Sequence, residues 1–232
     1  MIKKLSLSLL TLICLLLIGS ALFADDAGRP RINVSEEYWD YGFVPFDYDM
    51  VHIIRVENTG EADLIISSIS SSCDCTDAVI DDTLIAPGES ALLRLDFRTT
   101  NYYGQSLRHS VIYSNDPDRP ALKIEYNSNI GVLPGYFGTR PIALFILPGQ
   151  KPGEVALFNQ TDEEVAFTLE PEIDSTFTLD RTTGEIPPGK ETTVKVSPRE
   201  DLGRGTYYSS FRVTFKAKKD VVLTFPVKIV RY

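Results

Sequence analysis

From Ile32 onward the chain alternates short apolar runs with clusters of Gly, Pro, Asn and Asp, and no long stretch keeps a helical period. That pattern predicts an all-β protein. Val51-His52-Ile53-Ile54-Arg55-Val56 leads through Asn58-Thr59-Gly60-Glu61-Ala62-Asp63 into Leu64-Ile65-Ile66-Ser67-Ser68-Ile69, which reads as strand, turn, strand. In Leu92-Leu93-Arg94-Leu95-Asp96-Phe97-Arg98 the period of two places Leu93, Leu95 and Phe97 on one face and Arg94, Asp96 and Arg98 on the other. One face is core and the other is wet.

Sliding the chain along itself by 101 residues brings out a second regularity. Asn58 falls on Asn159, Ala86-Pro87-Gly88-Glu89 on Pro187-Pro188-Gly189-Lys190, Leu93-Arg94-Leu95 on Val194-Lys195-Val196, and Gly104 on Gly205. Ser110-Val111-Ile112-Tyr113 likewise overlies Phe211-Arg212-Val213-Thr214, without a gap. A unit this long is a whole domain, so the chain reads as two tandem immunoglobulin-like β-sandwich domains, residues 25–132 and 133–232, joined within Val132-Leu133-Pro134-Gly135-Tyr136. Each Pro-Gly pair precedes an alternating strand and suits a turn with Gly at positive φ.

Residues 1–24 read as an export signal. Lys3 and Lys4 are followed by an apolar run from Leu5 to Leu22 and by Ala21-Leu22-Phe23-Ala24, a small-residue cleavage pattern. An uncleaved anchor is the alternative, since the run is close to the shortest that spans a bilayer. Cys14 sits inside the run and lacks the small residues that precede a lipidated cysteine, so it belongs to the signal. Hydrophobic residues at 43% and charged residues at 24% are ordinary globular values. The formal charge of −9 becomes −11 once Lys3 and Lys4 are removed, which argues against nucleic acid or an anionic membrane as partner. No membrane span is expected after cleavage.

Five segments in the first copy carry a family resemblance: Trp39-Asp40-Tyr41-Gly42-Phe43-Val44, Val56-Glu57-Asn58-Thr59-Gly60, Cys73-Asp74-Cys75-Thr76, Ile85-Ala86-Pro87-Gly88-Glu89-Ser90 and Tyr113-Ser114-Asn115-Asp116-Pro117. In this order they resemble a bacterial exported family catalogued as domain of unknown function 1573, whose relatives are Hydin-like immunoglobulin modules. The resemblance covers about Ile32 to Ile130, and the second copy follows as a diverged repeat. It implies an immunoglobulin-like fold and an extracytoplasmic place, without a mechanism. The chain departs from the family at Asp74, where Gly is usual between the cysteines.

After the signal only two cysteines remain, Cys73 and Cys75, and the 101-residue offset replaces them with Asp174 and Thr176. The fold therefore does not need them. In a regular strand their Cα atoms would lie roughly 6.5 to 7 Å apart, at the limit for a disulfide, whereas a turn at Asp74 would bring them within reach. Three readings stay open: a passive or bridged pair, a metal site with His52 or His109 supplying nitrogen, or a redox-active dithiol. Further metal ligands are scarce, with two histidines and Met50 in the mature chain. Asp47-Tyr48-Asp49 and Asp81-Asp82 read as polar turns, and Trp39, Tyr41, Phe43 and Phe46 mostly as core.

No G-x-S-x-G elbow, H-E-x-x-H, phosphate-cradling Gly-rich loop or tandem C-x-x-C occurs. No catalytic residue, cofactor or enzyme activity is expected. The sequence points to an exported, periplasmic or cell-surface interaction or scaffold protein that binds an envelope protein through loops or edge strands. Two alternatives stand beside it: a periplasmic metal- or thiol-handling protein using Cys73 and Cys75, and a pilus-type periplasmic chaperone, which would need an open strand-donating edge facing the cleft between its domains.

Overall fold

The computed structural model describes residues 28–149, 152–173 and 175–232. The segment read as an export signal lies outside them. Among the described residues every regular element is a strand, in keeping with the alternating pattern, and no helix is long and apolar enough to cross a membrane.

The first half contains β1 (Ile32–Val34), β2 (Tyr38–Val44), β3 (Asp49–Asn58), β4 (Leu64–Ser71), β5 (Thr76–Ile80), β6 (Leu84–Ile85), β7 (Ser90–Arg98), β8 (Gly104–Ser114) and β9 (Ala121–Ile130). One sheet runs β1-β3-β7-β5 and the facing one β2-β9-β8-β4-β6. This is the arrangement of an immunoglobulin-like sandwich, with its first strand divided between the two sheets. Leu93, Leu95 and Phe97 point inward from β7 and meet Ile112, Ile124 and Tyr126 of the opposite sheet in one buried cluster. Each such side chain contributes about 1.5–3 kcal/mol of burial.

The second half repeats the plan with β10 (Phe137–Arg140), β11 (Leu144–Ile146), β12 (Gly153–Asn159), β13 (Val165–Pro171), β14 (Phe177–Leu179), β15 (Thr183–Ile186), β16 (Glu191–Pro198), β17 (Gly205–Lys216) and β18 (Val221–Arg231). Its sheets run β10-β12-β16-β14 and β15-β13-β17-β18, with β11 parallel to β18 as β2 is to β9. A second buried cluster, including Val155, Leu157, Val194, Val196 and Phe211, fills it.

In the central strands, pairings 101 residues apart coincide. His52 faces Leu95 and Gly153 faces Val196; Gly104 faces Ile130 and Gly205 faces Arg231. The same holds at a buried corner. Asn58 Nδ2 donates to the carbonyls of Ala62 and Ile85, both at 2.8 Å, while its Oδ1 accepts Gly60 N at 3.0 Å. Asn159 Nδ2 donates to Glu163 O at 2.7 Å and Ile186 O at 2.9 Å, and its Oδ1 accepts Thr161 N at 2.9 Å. Only a short amide supplies donors and acceptor in that geometry, so a buried Asn is satisfied at both corners. Gly88 and Gly189 have φ of 80° and 66°, as a turn with Pro in second place requires.

Residues 131–136 link β9 to β10, and the two halves meet edge to edge. Leu223 of β18 pairs with Phe43 of β2, which continues one sheet across both halves. Gly42 makes this approach feasible: its φ is +64°, and a Cβ there would lie 2.1 Å from Val222 O. Thr224 Oγ1 donates to Tyr41 O at 2.8 Å, and Phe43 packs against the second cluster. Of the aromatic residues near β2, Tyr41 is fully buried and Trp39 and Phe43 are half-buried, whereas Phe46 is exposed.

Candidate functional site

Cys73 and Cys75 are joined by a disulfide, with Cα atoms 5.1 Å apart. The chain turns at Asp74 between β4 and β5, which brings the Cα atoms well inside the spacing of a straight strand. Arg98 holds the turn: Nη1 donates to Asp77 Oδ2 and Nη2 to Asp74 O, both at 2.6 Å. Cys75 is buried against the first cluster, and Cys73 packs on its margin.

The disulfide stands at the mouth of a groove framed by two unpaired strand edges. On β5, Arg98 N donates to Cys75 O and Asp81 N to Leu92 O, which sets the phase of the antiparallel ladder. Asp77 and Val79 turn their main chain toward β7, and Thr76, Ala78 and Ile80 turn theirs outward. On β4, Ser72 N donates to His109 O, so Ser68 and Ser70 face β8 while Ile69 and Ser71 face away. β6 covers β4 only at Leu64 and Ile65. Among the described residues no strand pairs with the outward edges of β5 or of the later part of β4. The groove between them has a volume of about 560 Å³ and is lined by Ile69, Ser71, Cys73, Thr76, Ala78 and Arg98, among others.

The two histidines lie elsewhere. His109 is in β8, where its main chain bonds to Ser72 and its ring remains partly exposed. His52 is in β3 at the contact between the halves and is 3% exposed. Its Nε2 is 3.0 Å from Glu36 Oε1, and its Nδ1 is 3.2 Å from Oε2 of Glu172, which follows β13 in the second half. Each ring nitrogen thus has its own carboxylate. Burial alone would lower the pKa of His52, but hydrogen bonds to Glu172 and Glu36 outweigh it and raise the value above the ordinary one. Trp39 stacks on the imidazole with ring centroids 3.7 Å apart, and the Arg212 guanidinium lies 4.7 Å from the Trp39 ring. Glu172 Oε2 also accepts Ile53 N at 2.9 Å, and Ser210 Oγ accepts Val51 N at 2.9 Å, so main chain and side chain of β3 are both tied to the second half.

The four residues considered as metal ligands are therefore not brought together: two are bonded to each other, one is held by carboxylates, and one lies on β8. Among the described residues no group of three or more His, Cys, Asp or Glu is placed to hold a metal ion. Glu36 and Glu172 escaped sequence reasoning because each reads as an ordinary surface carboxylate. A histidine in an otherwise apolar strand was the available signal that a carboxylate must be found for it.

Strand edges also bear on the chaperone alternative. From Glu125 to Ile130, β9 is covered by β2, and β18 is covered by β2 at Leu223 and by β11 from Val227 to Ile229. On the sandwich that carries the disulfide, β5 ends its sheet and the later part of β4 is uncovered; β14, which holds the place of β5 in the second half, also ends its sheet.

Residues 32–129 match the model of one family, described as Protein of unknown function (DUF1573). The DUF1573 match runs from the first residue of β1 to the penultimate residue of β9 and includes the disulfide turn and both open edges. The second half lies outside it. No curated protein matches the chain. Similar solved structures include a protein of unknown function from Porphyromonas gingivalis W83 (15% identity, TM-score 0.36, 86% of this chain and 99% of that one). Another is the ASH / PapD-like domain 7 of human CEP192 (16% identity, TM-score 0.37, 44% and 89%), and a third the YadV chaperone (13% identity, TM-score 0.34, 85% and 98%). At these identities and scores the three bear on neither partner nor activity.

Proposed function

We propose that this is an exported, non-catalytic binding protein of the cell envelope that captures an extended segment of a protein partner in the groove between β4 and β5. The observation that carries the reading is the pair of facing strand edges. Ile69 and Ser71 on one side and Ala78 and Ile80 on the other present main-chain groups with no ladder partner among the described residues, while Thr76 N is taken by Cys73 O in the turn. An added strand satisfies such groups, and main-chain hydrogen bonding is how strand addition gains affinity. At 3.2–3.4 Å per residue, a segment of about four to five residues matches β5 in length.

Charge indicates the partner's character. Residues 25–132 hold 19 acidic and 8 basic side chains, and residues 133–232 hold 13 of each, so the acidic excess falls on the half with the groove. A neutral or basic strand suits it. Export is supported by the Lys-Lys and apolar N-terminal pattern and by a disulfide, which persists in oxidising compartments. The second half, whose β12–β16, β14–β16 and β17–β18 pairings match those of the first at an offset of 101, is read as a diverged copy that fixes the placement of the first.

The test is a photo-crosslinking residue at Val79, on the solvent face of β5, with and without Ala78→Pro. Proline at 78 removes an outward N–H and leaves the ladder to β7 intact. In cells, Val79 should crosslink to a discrete envelope protein, a control at exposed Asp162 should not, and Ala78→Pro should abolish the product. A crosslink that survives Ala78→Pro in the folded protein defeats strand addition.

A further inference from the structure

We propose that the bridge from His52 to Glu36 and Glu172 makes the contact between the two halves pH-responsive, closed while the imidazole carries both protons and loosened once it gives one up. The geometry is that of a doubly donating ring. A neutral imidazole has one N–H and one lone pair, so only a protonated His52 can donate to Glu36 and Glu172 at once. After loss of a proton, one carboxylate faces a lone pair in a buried site, and the repulsion is relieved by moving Glu172, and the second half with it.

The surrounding groups leave His52 as the titrating element. Glu36 reaches it from the β1–β2 loop and Glu172 from the end of β13. From β2 come Trp39, which has no charge, and Tyr41, whose phenol burial holds well above its usual pKa and therefore neutral. The residue opposite on β7 is Leu95; its neighbours Arg94 and Asp96 are bonded to each other at 2.7 and 2.8 Å. From β17 come Ser210, bonded to Val51 N, and Arg212, over Trp39. No other cation is bonded to either carboxylate among the described residues.

The contact is also poorly paired in places. Trp39 Nε1, Tyr41 Oη and Arg212 Nε are buried without a hydrogen-bond partner among the described residues. A polar seam with such losses opens more readily than either apolar cluster, which makes it the place where one proton decides between two arrangements. The sign follows from the raised pKa of His52. Its contribution is full below the unfolded value of about 6.5 and is lost as pH rises through the higher folded value. The joint therefore loosens toward neutral and alkaline pH.

The experiment uses the full mature chain labelled with ¹⁵N. The His52 ring is titrated by NMR between pH 5 and 9, and exchange of the Val51 and Ile53 amides is followed over the same range, corrected for base catalysis. His52 should titrate above a free histidine, both amides should lose protection across that midpoint, and Glu172→Gln should lower the midpoint by about one pH unit, a tenfold change in proton affinity. His52→Gln should remove the pH dependence of amide protection. A His52 that titrates at or below the free value, or amide protection that stays flat across the window, overturns the proposal. Should His52→Gln fail to fold, the titration and exchange of the unmodified protein decide. None of these readouts requires a binding partner, so they stand or fall apart from the groove.

Discussion

Gly42→Ala tests how tightly the two halves are joined. At φ +64° an alanine costs about 1–2 kcal/mol relative to glycine through its own backbone. Its Cβ would also lie 2.1 Å from Val222 O and 2.6 Å from Val222 C. Those atoms are backbone, so β18 must withdraw by roughly 1 Å to restore ordinary contact distances. Withdrawal breaks the Thr224 Oγ1–Tyr41 O bond, worth about 1 kcal/mol, and opens the seat of Phe43 against the second cluster, worth about another 1–2 kcal/mol. Together the loss comes to about 3–5 kcal/mol, and a chain of this size should melt roughly 6–20 °C lower. Trp39, the only tryptophan, sits at the joint and reports its opening by fluorescence during a urea titration. Circular dichroism follows the strands of both halves. The tryptophan transition should move to lower urea by more than the circular dichroism transition. If Gly42→Ala unfolds within about 1 kcal/mol of the unmodified protein by both probes, the close passage of β2 and β18 is not part of the folded chain.

Intact mass of the mature protein should fall about 2 Da below the fully reduced value because Cys73 and Cys75 are joined. Replacing both by serine should cost only roughly 1–2 kcal/mol in urea unfolding, since the ring closed is three residues long. Asp116 binds β1 to the β8–β9 turn: Oδ2 accepts Ile32 N at 2.8 Å, and Oδ1 accepts Asp118 N at 2.8 Å and Arg119 N at 3.2 Å. Burial raises its pKa, but these three N–H groups and the nearby Arg31 outweigh that and hold it below the usual carboxylate value. A depressed pKa contributes stability above the unfolded value, and that stability is lost as pH falls through the folded one. Asp116→Asn should lower the melting temperature at neutral pH and flatten its decline below about pH 4; an unchanged acid limb would show that another carboxylate governs it.

The strands were legible because alternation writes burial directly into the sequence. Leu93, Leu95 and Phe97 are all within 1% of full burial, as their period of two requires. The 101-residue offset falls on strand pairings and on the two asparagine corners, where local chemistry repeats with the sequence. Less could be read where partners come from the other half. His52 was weighed only as a nitrogen ligand for a metal, because its carboxylates lie 16 and 120 residues away and obey no period. Gly42 shows the same limit: its necessity comes from Val222, 180 positions later. Phe46 departed from the core expectation because β2 ends at Val44, so the alternation that would have turned it inward has stopped.

One row of the first sandwich ties its two polar features together. His52 on β3 faces Leu95 on β7, and Leu95 faces Ala78 on β5. With strands about 4.8 Å apart, the joint and the open edge are separated by roughly 10 Å across a single hydrogen-bonded sheet. Nearness of this kind is not coupling. Coupling requires that the edge prefer one arrangement of the joint, and a rigid row transmits a preference only if it has two arrangements itself. β7 is paired on both sides along this stretch, and Leu95 is fully buried, so the row between the features has the least freedom to move. A loosened joint then changes where the second half sits and leaves the β5 edge as it was. Opening at alkaline pH accordingly exposes new surface at the joint without weakening a strand bound at β5. Reciprocity gives the converse, that occupancy of the groove leaves the His52 midpoint in place.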